Sequence, residues 1–141
     1  MQNLTTWAQR WNIPPEALRE LVTPADDPAV IPGTSEAAIQ TQLRVAASRA
    51  GWRLWRNNVG AGTLENGSHV RWGLANDSTR MNASLKSGDL IGIKPGGQFV
   101  SREVKHAGWR YTGTPRETAQ LAWIELVNGM GGDAAFSTGS L

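Results

Sequence analysis

Residues 87–105, SGDLIGIKPGGQFVSREVK, decide the fold, because they predict two short strands joined by a glycine turn. Asp89 opens the first strand, and the second strand ends in Glu103, Val104 and Lys105. Side chains alternate between the faces of a strand, so Glu103 and Lys105 project to one side and Val104 to the other. If the two strands pair, Asp89 lies beside Glu103. Two carboxylates and one ammonium group then lie within a few ångströms of each other.

The paired carboxylates indicate a cation site. Two adjacent carboxylates repel each other unless a cation or a proton lies between them. Hard oxygen ligands favour Mg²⁺ or Mn²⁺. The chain has no cysteine and two histidines, which excludes a thiolate zinc site and leaves too few imidazoles for a histidine metal site. Two alternatives stay open: Asp89 caps a turn, and Glu103 and Lys105 form a solvated pair on an edge strand.

The composition is that of an ordinary globular chain, since 40% of the 141 residues are hydrophobic and 18% are charged. This length corresponds to one domain. No apolar run approaches the ~18 residues that span a bilayer, and the first residues lack the apolar core of a signal peptide. We therefore expect a soluble, cytoplasmic protein without a membrane partner.

Charge is distributed unevenly along the chain. Residues 1–34 carry two basic and four acidic side chains, whereas residues 35–141 carry twelve basic and eight acidic ones. Nine of those twelve are arginines, which bind phosphate in bidentate fashion, so a polyanionic partner is plausible. Six arginines are candidates for phosphate contacts, although each is also explicable as a plain surface residue. They are Arg53, Arg56, Arg71, Arg102, Arg110 and Arg116.

Two segments are predicted. Residues 1–34 read as a short helical N-terminal arm, broken at 12–15, followed by a proline-rich linker over 23–34. We interpret the arm as a docking or dimer-forming appendage, with a helix-turn-helix unit as the alternative. Residues 35–141 form the second domain, and their pattern predicts an α/β sheet flanked by helices.

The predicted elements of the second domain follow from caps, breakers and apolar spacing. Ser35 or Thr34 caps the first helix, and Gly51 ends it. Thr114 caps the last helix. Residues 57–62 read as a turn, and residues 60–87 as a long irregular loop. The strands are predicted over 52–56, 69–72, the two halves of 87–105, and 134–136.

Several of these residues occur in an order that resembles a known family. They are Glu36, Arg56-Asn57-Asn58-X-Gly60, Gly88-Asp89, Glu103-X-Lys105 and Gln120-X-X-Trp123. Over about residues 35–136 this order resembles the VRR-Nuc (virus-type replication-repair nuclease) domain of the PD-(D/E)XK nuclease superfamily. The resemblance implies a restriction-endonuclease-like core with a central mixed sheet.

The resemblance also implies a Mg²⁺- or Mn²⁺-dependent endodeoxyribonuclease. Asp89, Glu103 and the Val104 carbonyl would hold the metal. Lys105 would orient the attacking water or stabilise the transition state. Glu36 would ligate a second ion or the water network, or else merely complement the helix dipole. Gln120 would position Lys105, a ligand water or a phosphate, or else be an exposed helix residue.

The implied substrate is DNA, either duplex or branched, such as Holliday junctions or flaps. Asn57 is expected near the substrate. The resemblance further implies a homodimer, and by analogy a phage or mobile-element protein that works in the host cytoplasm with replication or packaging proteins. The alternative function is a catalytically inert DNA-binding or docking module.

Overall fold

A mixed four-stranded sheet forms the centre of the computed structural model, which describes residues 8–15, 17 and 35–141. The helices and strands of residues 35–141 are α1 (Glu36–Arg49), β1 (Arg53–Arg56), β2 (Gly60–Thr63), β3 (His69–Trp72), α2 (Thr79–Ser84), β4 (Leu90–Ile93), β5 (Phe99–Val104), α3 (Pro115–Gly129) and β6 (Asp133–Ser137). The sheet order is β1-β4-β5-β6, and β2 pairs with β3 in a separate hairpin. The predicted α/β class with a mixed sheet and helices is confirmed.

The predicted hairpin of residues 87–105 is β4 and β5. These strands are antiparallel, and Leu90 is the register partner of Arg102, which brings Asp89 beside Glu103 at the end of the ladder. β1 joins the other edge of β4, also antiparallel. β6 runs parallel to β5, because the chain crosses between them through α3.

The two faces of β5 meet different helices. Val100 and Val104 belong to a buried cluster with α1 residues, whereas Ser101 accepts a hydrogen bond from the indole of Trp123 on α3 at 2.9 Å. Alternation along the strand then directs Glu103 towards α3. The candidate site therefore lies on the α3 face of the sheet.

The helix caps agree with the sequence. The Ser35 hydroxyl accepts a hydrogen bond from the Ala38 amide at 3.2 Å, and Gly51 follows the end of α1 with a φ of 81°. Thr114 and Glu117 form a reciprocal capping box at the start of α3. Each cap satisfies amides that a helix leaves without a partner.

The prediction for residues 57–62 was wrong, because the chain enters a strand at Gly60. β2 pairs with β3 through Gly60 opposite Trp72. A Cβ at Gly60 would lie 2.6 Å from the Trp72 ring, so the glycine is what lets that ring cover the strand. The irregular loop predicted over 60–87 also contains α2, whose amides are capped by Ser78.

Only part of the predicted N-terminal arm lies among the described residues. Residues 8–10 are helical, and helix resumes at 15 and 17 after a break in which Asn12 has a φ of 50°. The predicted linker lies outside the described residues. None of the helices in the described part of the chain has both the length and the apolar character needed to cross a membrane.

Candidate active site

Asp89 lies directly against the end of β5. Its Oδ2 accepts a hydrogen bond from the Val104 amide at 2.9 Å. The preceding residue is glycine for a steric reason, since a Cβ at Gly88 would lie 2.6 Å from the Ser101 hydroxyl and 2.9 Å from the Arg102 carbonyl oxygen. Because glycine has no side chain, the chain can pass close to β5 at this point, and Asp89 is placed at the site.

Glu103, Lys105 and Gln120 form a buried hydrogen-bonded triangle. The Lys105 ammonium donates to Glu103 Oε1 at 3.2 Å and to Gln120 Oε1 at 2.9 Å. The Gln120 amide nitrogen donates in turn to Glu103 Oε1. The prediction that Glu103 and Lys105 share a face is confirmed, and both are buried rather than solvated. Gln120 is 2% exposed, so the alternative of an exposed helix residue is wrong.

Aromatic rings complete the surroundings of Lys105. Its ammonium lies 5.4 Å from the ring centroid of Trp109 and 5.7 Å from that of Phe136. The Trp109 indole donates to Glu117 at 3.1 Å. Hydrogen bonds, first among them that from the Thr112 amide, lower the pKa of Glu117 to about 2. Glu117 thus fixes the loop of residues 106–114, which places the Trp109 ring against Lys105.

The two site carboxyls resist ionisation. Burial raises the pKa of Glu103 to about 7, and the neighbouring Asp89 charge contributes to that rise, against the lowering effect of Lys105. Burial also raises the pKa of Asp89. The Val104 amide opposes that rise, while the Glu36 charge adds to it. A cation placed between these carboxylates would relieve both their burial and their repulsion.

Each carboxylate keeps one oxygen available. Asp89 Oδ1 and Glu103 Oε2 accept no hydrogen bond within the described part of the chain. Both residues line a cavity of about 280 Å³. These hard oxygens fit Mg²⁺ or Mn²⁺. Among the described residues no cluster of three His, Cys, Asp or Glu side chains could hold a metal, so the remaining ligands would be water, substrate or backbone oxygens such as the predicted Val104 carbonyl.

Glu36 lies at the margin of this site. It is in the first turn of α1, is exposed, and does not line the cavity. It is nevertheless close enough for its charge to raise the pKa of Asp89. Its predicted role, as ligand of a second ion or of the water network, stays a prediction.

Asn57 braces the segment that carries Asp89. Its amide nitrogen donates to the Ser87 hydroxyl and to the Gly88 carbonyl, each at 2.9 Å. Its backbone amide donates to the Asp89 carbonyl at 2.8 Å, and its side-chain oxygen accepts from the Leu74 amide at 3.3 Å. Asn57 also lines the cavity, and its place near a substrate stays a prediction.

Arg71 lines the cavity, and each of its three guanidinium nitrogens already donates a hydrogen bond within the protein. Nε and Nη2 donate to the Asn76 carbonyl and side-chain oxygens at 2.9 and 2.6 Å, and Nη1 donates to Thr79 at 3.3 Å. Asn76 donates in turn to the Gly60 and Trp72 carbonyls at 2.7 and 2.8 Å. Arg71 therefore ties the β2–β3 hairpin to α2.

Arg102 is a correction to the predicted phosphate contacts. It is 3% exposed, and its guanidinium binds both carboxylate oxygens of Asp133 at 3.0 Å. The parallel register of β5 and β6 brings this acid to it, so Arg102 stabilises the core and does not reach solvent. The four other arginine candidates are exposed. Arg116 lines the cavity, whereas Arg53, Arg56 and Arg110 do not.

Lys86 and Asn82 line the cavity as well, and the sequence did not single them out as site residues. The Lys86 ammonium donates to Asn82 Oδ1. The sequence evidence for Asn82 as a site residue was weak, because it belongs to α2, a short helix within a polar stretch of sequence. A lysine three residues before Asp89 was the one available clue.

The raised carboxyl pKa values predict a pH-dependent stability. We expect the free energy of unfolding, measured in EDTA, to fall between about pH 5 and pH 8 by on the order of 1–3 kcal/mol. The folded-state pKa of Glu103, about 7, lies above its ordinary value of 4.5, so the folded state binds more protons across this window. Urea unfolding at several pH values measures the slope, and Glu103→Gln should remove most of it.

The same carboxyls predict that a divalent cation stabilises the fold more at pH 8 than at pH 5.5, because it competes with protons for these oxygens. Thermal unfolding at one fixed concentration of Mg²⁺ or Mn²⁺, about ten times its Kd at pH 8, measures this shift at both pH values. Glu125→Gln, which changes an exposed glutamate of α3, is the control. The assignment would be contradicted if the shifts were equal at both pH values, or if Glu103→Gln gave the same shift as the wild type.

Comparison with known proteins gave no match: no family model, no curated protein and no solved structure matches this chain significantly.

Proposed function

We propose that this chain is a Mg²⁺- or Mn²⁺-dependent endodeoxyribonuclease with a restriction-endonuclease-like core, of the VRR-Nuc type. One observation carries the proposal. Asp89 and Glu103 line one cavity, each has an oxygen that accepts no hydrogen bond within the described residues, and the buried ammonium of Lys105 lies 3.2 Å from Glu103 Oε1. A mixed sheet with α1 on one face and α3 on the other is compatible with such a core.

Each site residue has a separate role in the proposed reaction. Asp89 and Glu103 would hold the cation, with the Val104 carbonyl as a further oxygen. A bound Mg²⁺ or Mn²⁺ lowers the pKa of a ligand water and neutralises charge on the phosphate. Lys105 supplies a fixed positive charge beside them, which stabilises negative charge that develops on the phosphate oxygens.

Gln120 is a positioning residue in this mechanism. Its carbonyl oxygen accepts from Lys105 while its amide nitrogen donates to Glu103, an orientation assigned from the hydrogen-bond network. The two bonds hold the ammonium and the carboxylate in one arrangement before substrate arrives. Preorganisation of this kind removes the cost of reorienting charges during the reaction.

The substrate and the partners belong to the same proposal. We infer DNA as substrate, with branched forms such as Holliday junctions and flaps preferred, and phage replication or packaging proteins as the setting. The net positive charge of residues 35–141 and the exposed Arg116 at the cavity support a polyanionic ligand. A cleavage panel in Mn²⁺ with duplex, nicked, flap, splayed and four-way-junction DNA tests the function. Survival of all five DNAs would contradict it.

A twofold dimer is supported by an uncovered apolar area of the sheet. Trp55 and Ile93 are 52% and 43% exposed. Leu54 and Gly92, the neighbours of these residues on β1 and β4, are buried, so Trp55 and Ile93 lie on the opposite face from α1. Exposed apolar area of this kind marks interaction surfaces, and a second copy of the chain is the partner that we infer.

We expect the double variant Trp55→Glu/Ile93→Glu to be monomeric at concentrations at which the wild type is dimeric, because two buried carboxylates per subunit oppose association. Light scattering after size-exclusion chromatography measures the mass. Leu126→Glu, an exposed apolar position on α3, is the matched control. An unchanged dimer in the double variant would place the interface elsewhere.

A further inference from the structure

A second lysine lies in the cavity of the carboxylate pair. Lys86 lines it together with Asp89 and Glu103. The Lys86 backbone amide donates to the Ala119 carbonyl on α3 at 3.0 Å, which fixes this segment against the helix. Arg116 lines the same cavity from the first turn of that helix, one turn before Gln120. Two cations thus belong to the wall that α3 and the segment before β4 build.

Within the described part of the chain, neither cation forms an ion pair. No ion pair joins Lys86 or Arg116 to a carboxylate within the described residues, and the ammonium of Lys86 has only the neutral Asn82 oxygen as acceptor there. Burial lowers the pKa of Lys86, and the charges of Arg116 and Arg71 lower it further, while the charge of Glu103 acts in the opposite direction. Two cationic side chains at one cavity wall, neither of them in a direct ion pair within the described residues, can bind an anion there.

The third cation of the cavity does not compete for the same role. Arg71 uses three of its five N–H donors on Asn76 and Thr79, which holds its guanidinium against these two residues. Lys86 differs, since one ammonium has three donors and Asn82 takes one of them. Arg116 makes no hydrogen bond through its side chain within the described part of the chain and is exposed. Within the described residues, Lys86 and Arg116 therefore supply most of the unused cationic donors of this wall.

We propose that Lys86 and Arg116 form a phosphate subsite that holds a backbone phosphate of the nucleic acid next to Asp89 and Glu103. Lys86, half-buried and steadied by Asn82, contacts the phosphate inside the cavity. Arg116, at the mouth, contacts a neighbouring phosphate. The identity of the polymer as DNA rests on the proposed function, but the binding of phosphate by these two side chains does not.

The test separates phosphate binding from cleavage. Thymidine 5′-monophosphate is titrated in EDTA and followed by ³¹P NMR, and single-turnover cleavage of the best DNA of the panel is measured in Mn²⁺. We expect Lys86→Met and Arg116→Met to weaken binding of the nucleotide at least about fivefold, since each removes charge-assisted hydrogen bonds. Arg80→Met, an exposed cation of α2 outside the cavity, should bind like the wild type.

The cleavage measurement separates the two residues. Lys86→Met should lower the single-turnover rate at least about tenfold with a smaller change in DNA affinity, and Lys86→Arg should recover most of the rate. Arg116→Met should act mainly on affinity. A structural role of Lys86 would not be rescued in this way, because arginine is the bulkier side chain.

The outcomes are distinguishable. Nucleotide binding that both methionine variants retain in full would overturn the subsite. If the wild type binds the nucleotide but cuts none of the DNAs, weaker binding in the variants supports the subsite while the nuclease proposal fails. Circular dichroism checks folding, and if Lys86→Met does not fold, the exposed Arg116→Met decides alone.

Discussion

Asp89→Asn and Glu103→Gln should each lower the rate of DNA cleavage by roughly a thousandfold or more, because each removes a charged ligand from the cation that carries the reaction. Both side chains line the cavity, and each has one carboxylate oxygen that accepts no hydrogen bond within the described residues. The amides keep nearly the same shape, so the loss would report charge and not packing. Cleavage in Mn²⁺ at pH 8 under single-turnover conditions measures the rates.

The same two variants should be at least as stable as the wild type in EDTA. Each removes a buried carboxylate whose pKa is raised, and the amide oxygen that each substitution leaves in its place can still accept the existing hydrogen bonds. We expect a gain on the order of 1 kcal/mol. Asp77→Asn and Glu125→Gln, both at exposed positions, are the matched controls and should change neither rate nor stability. Full activity in both site variants would end the nuclease proposal.

Lys105→Met should lower cleavage by roughly a hundredfold or more, since one preorganised positive charge is lost from the transition state. Methionine keeps an apolar stem against Trp109 and Phe136. Removal of the ammonium makes Glu103 easier to protonate, so the comparison belongs at pH 8 or above.

Metal-induced stabilisation distinguishes Lys105 from the carboxylates. Lys105→Met should still gain thermal stability from Mn²⁺ at pH 8, whereas Asp89→Asn should not, because the lysine is not a metal ligand. A Lys105→Met variant that loses both cleavage and metal stabilisation would show that the lysine serves only to hold Glu103. Retention of full cleavage would remove Lys105 from the mechanism.

Local chemistry explains why the carboxylate pair was predictable. The alternation of a strand and the glycine turn before β5 were sufficient to bring Asp89 and Glu103 together and to direct Lys105 to the same side. The caps at Ser35 and Thr114 were predictable for the same reason. These features depend on residues that are near each other in the chain or joined by one hairpin.

Other features depended on partners that the local pattern does not contain. Gly60 is part of a strand because it pairs with Trp72 in the β2–β3 hairpin, and its missing side chain leaves room for the Trp72 ring. Arg71 is held in place because the buried Asn76 accepts its hydrogen bonds. The sequence alone could not distinguish these residues from turn and surface residues. Their partners lie on the paired strand, in the segment before α2 and at the start of α2, which the fold brings together.

The sequence by itself determined the paired carboxylates, the lysine beside them and the α/β class. The tertiary structure decided that the Arg102 guanidinium binds the Asp133 carboxylate, 31 residues away, and that Lys86 lines the cavity. The physical reason is that these two groups of features are fixed over different distances along the chain. Strand alternation and capping are set by backbone geometry over a few residues, whereas the partner of a charged side chain is set by which strands and helices pack together.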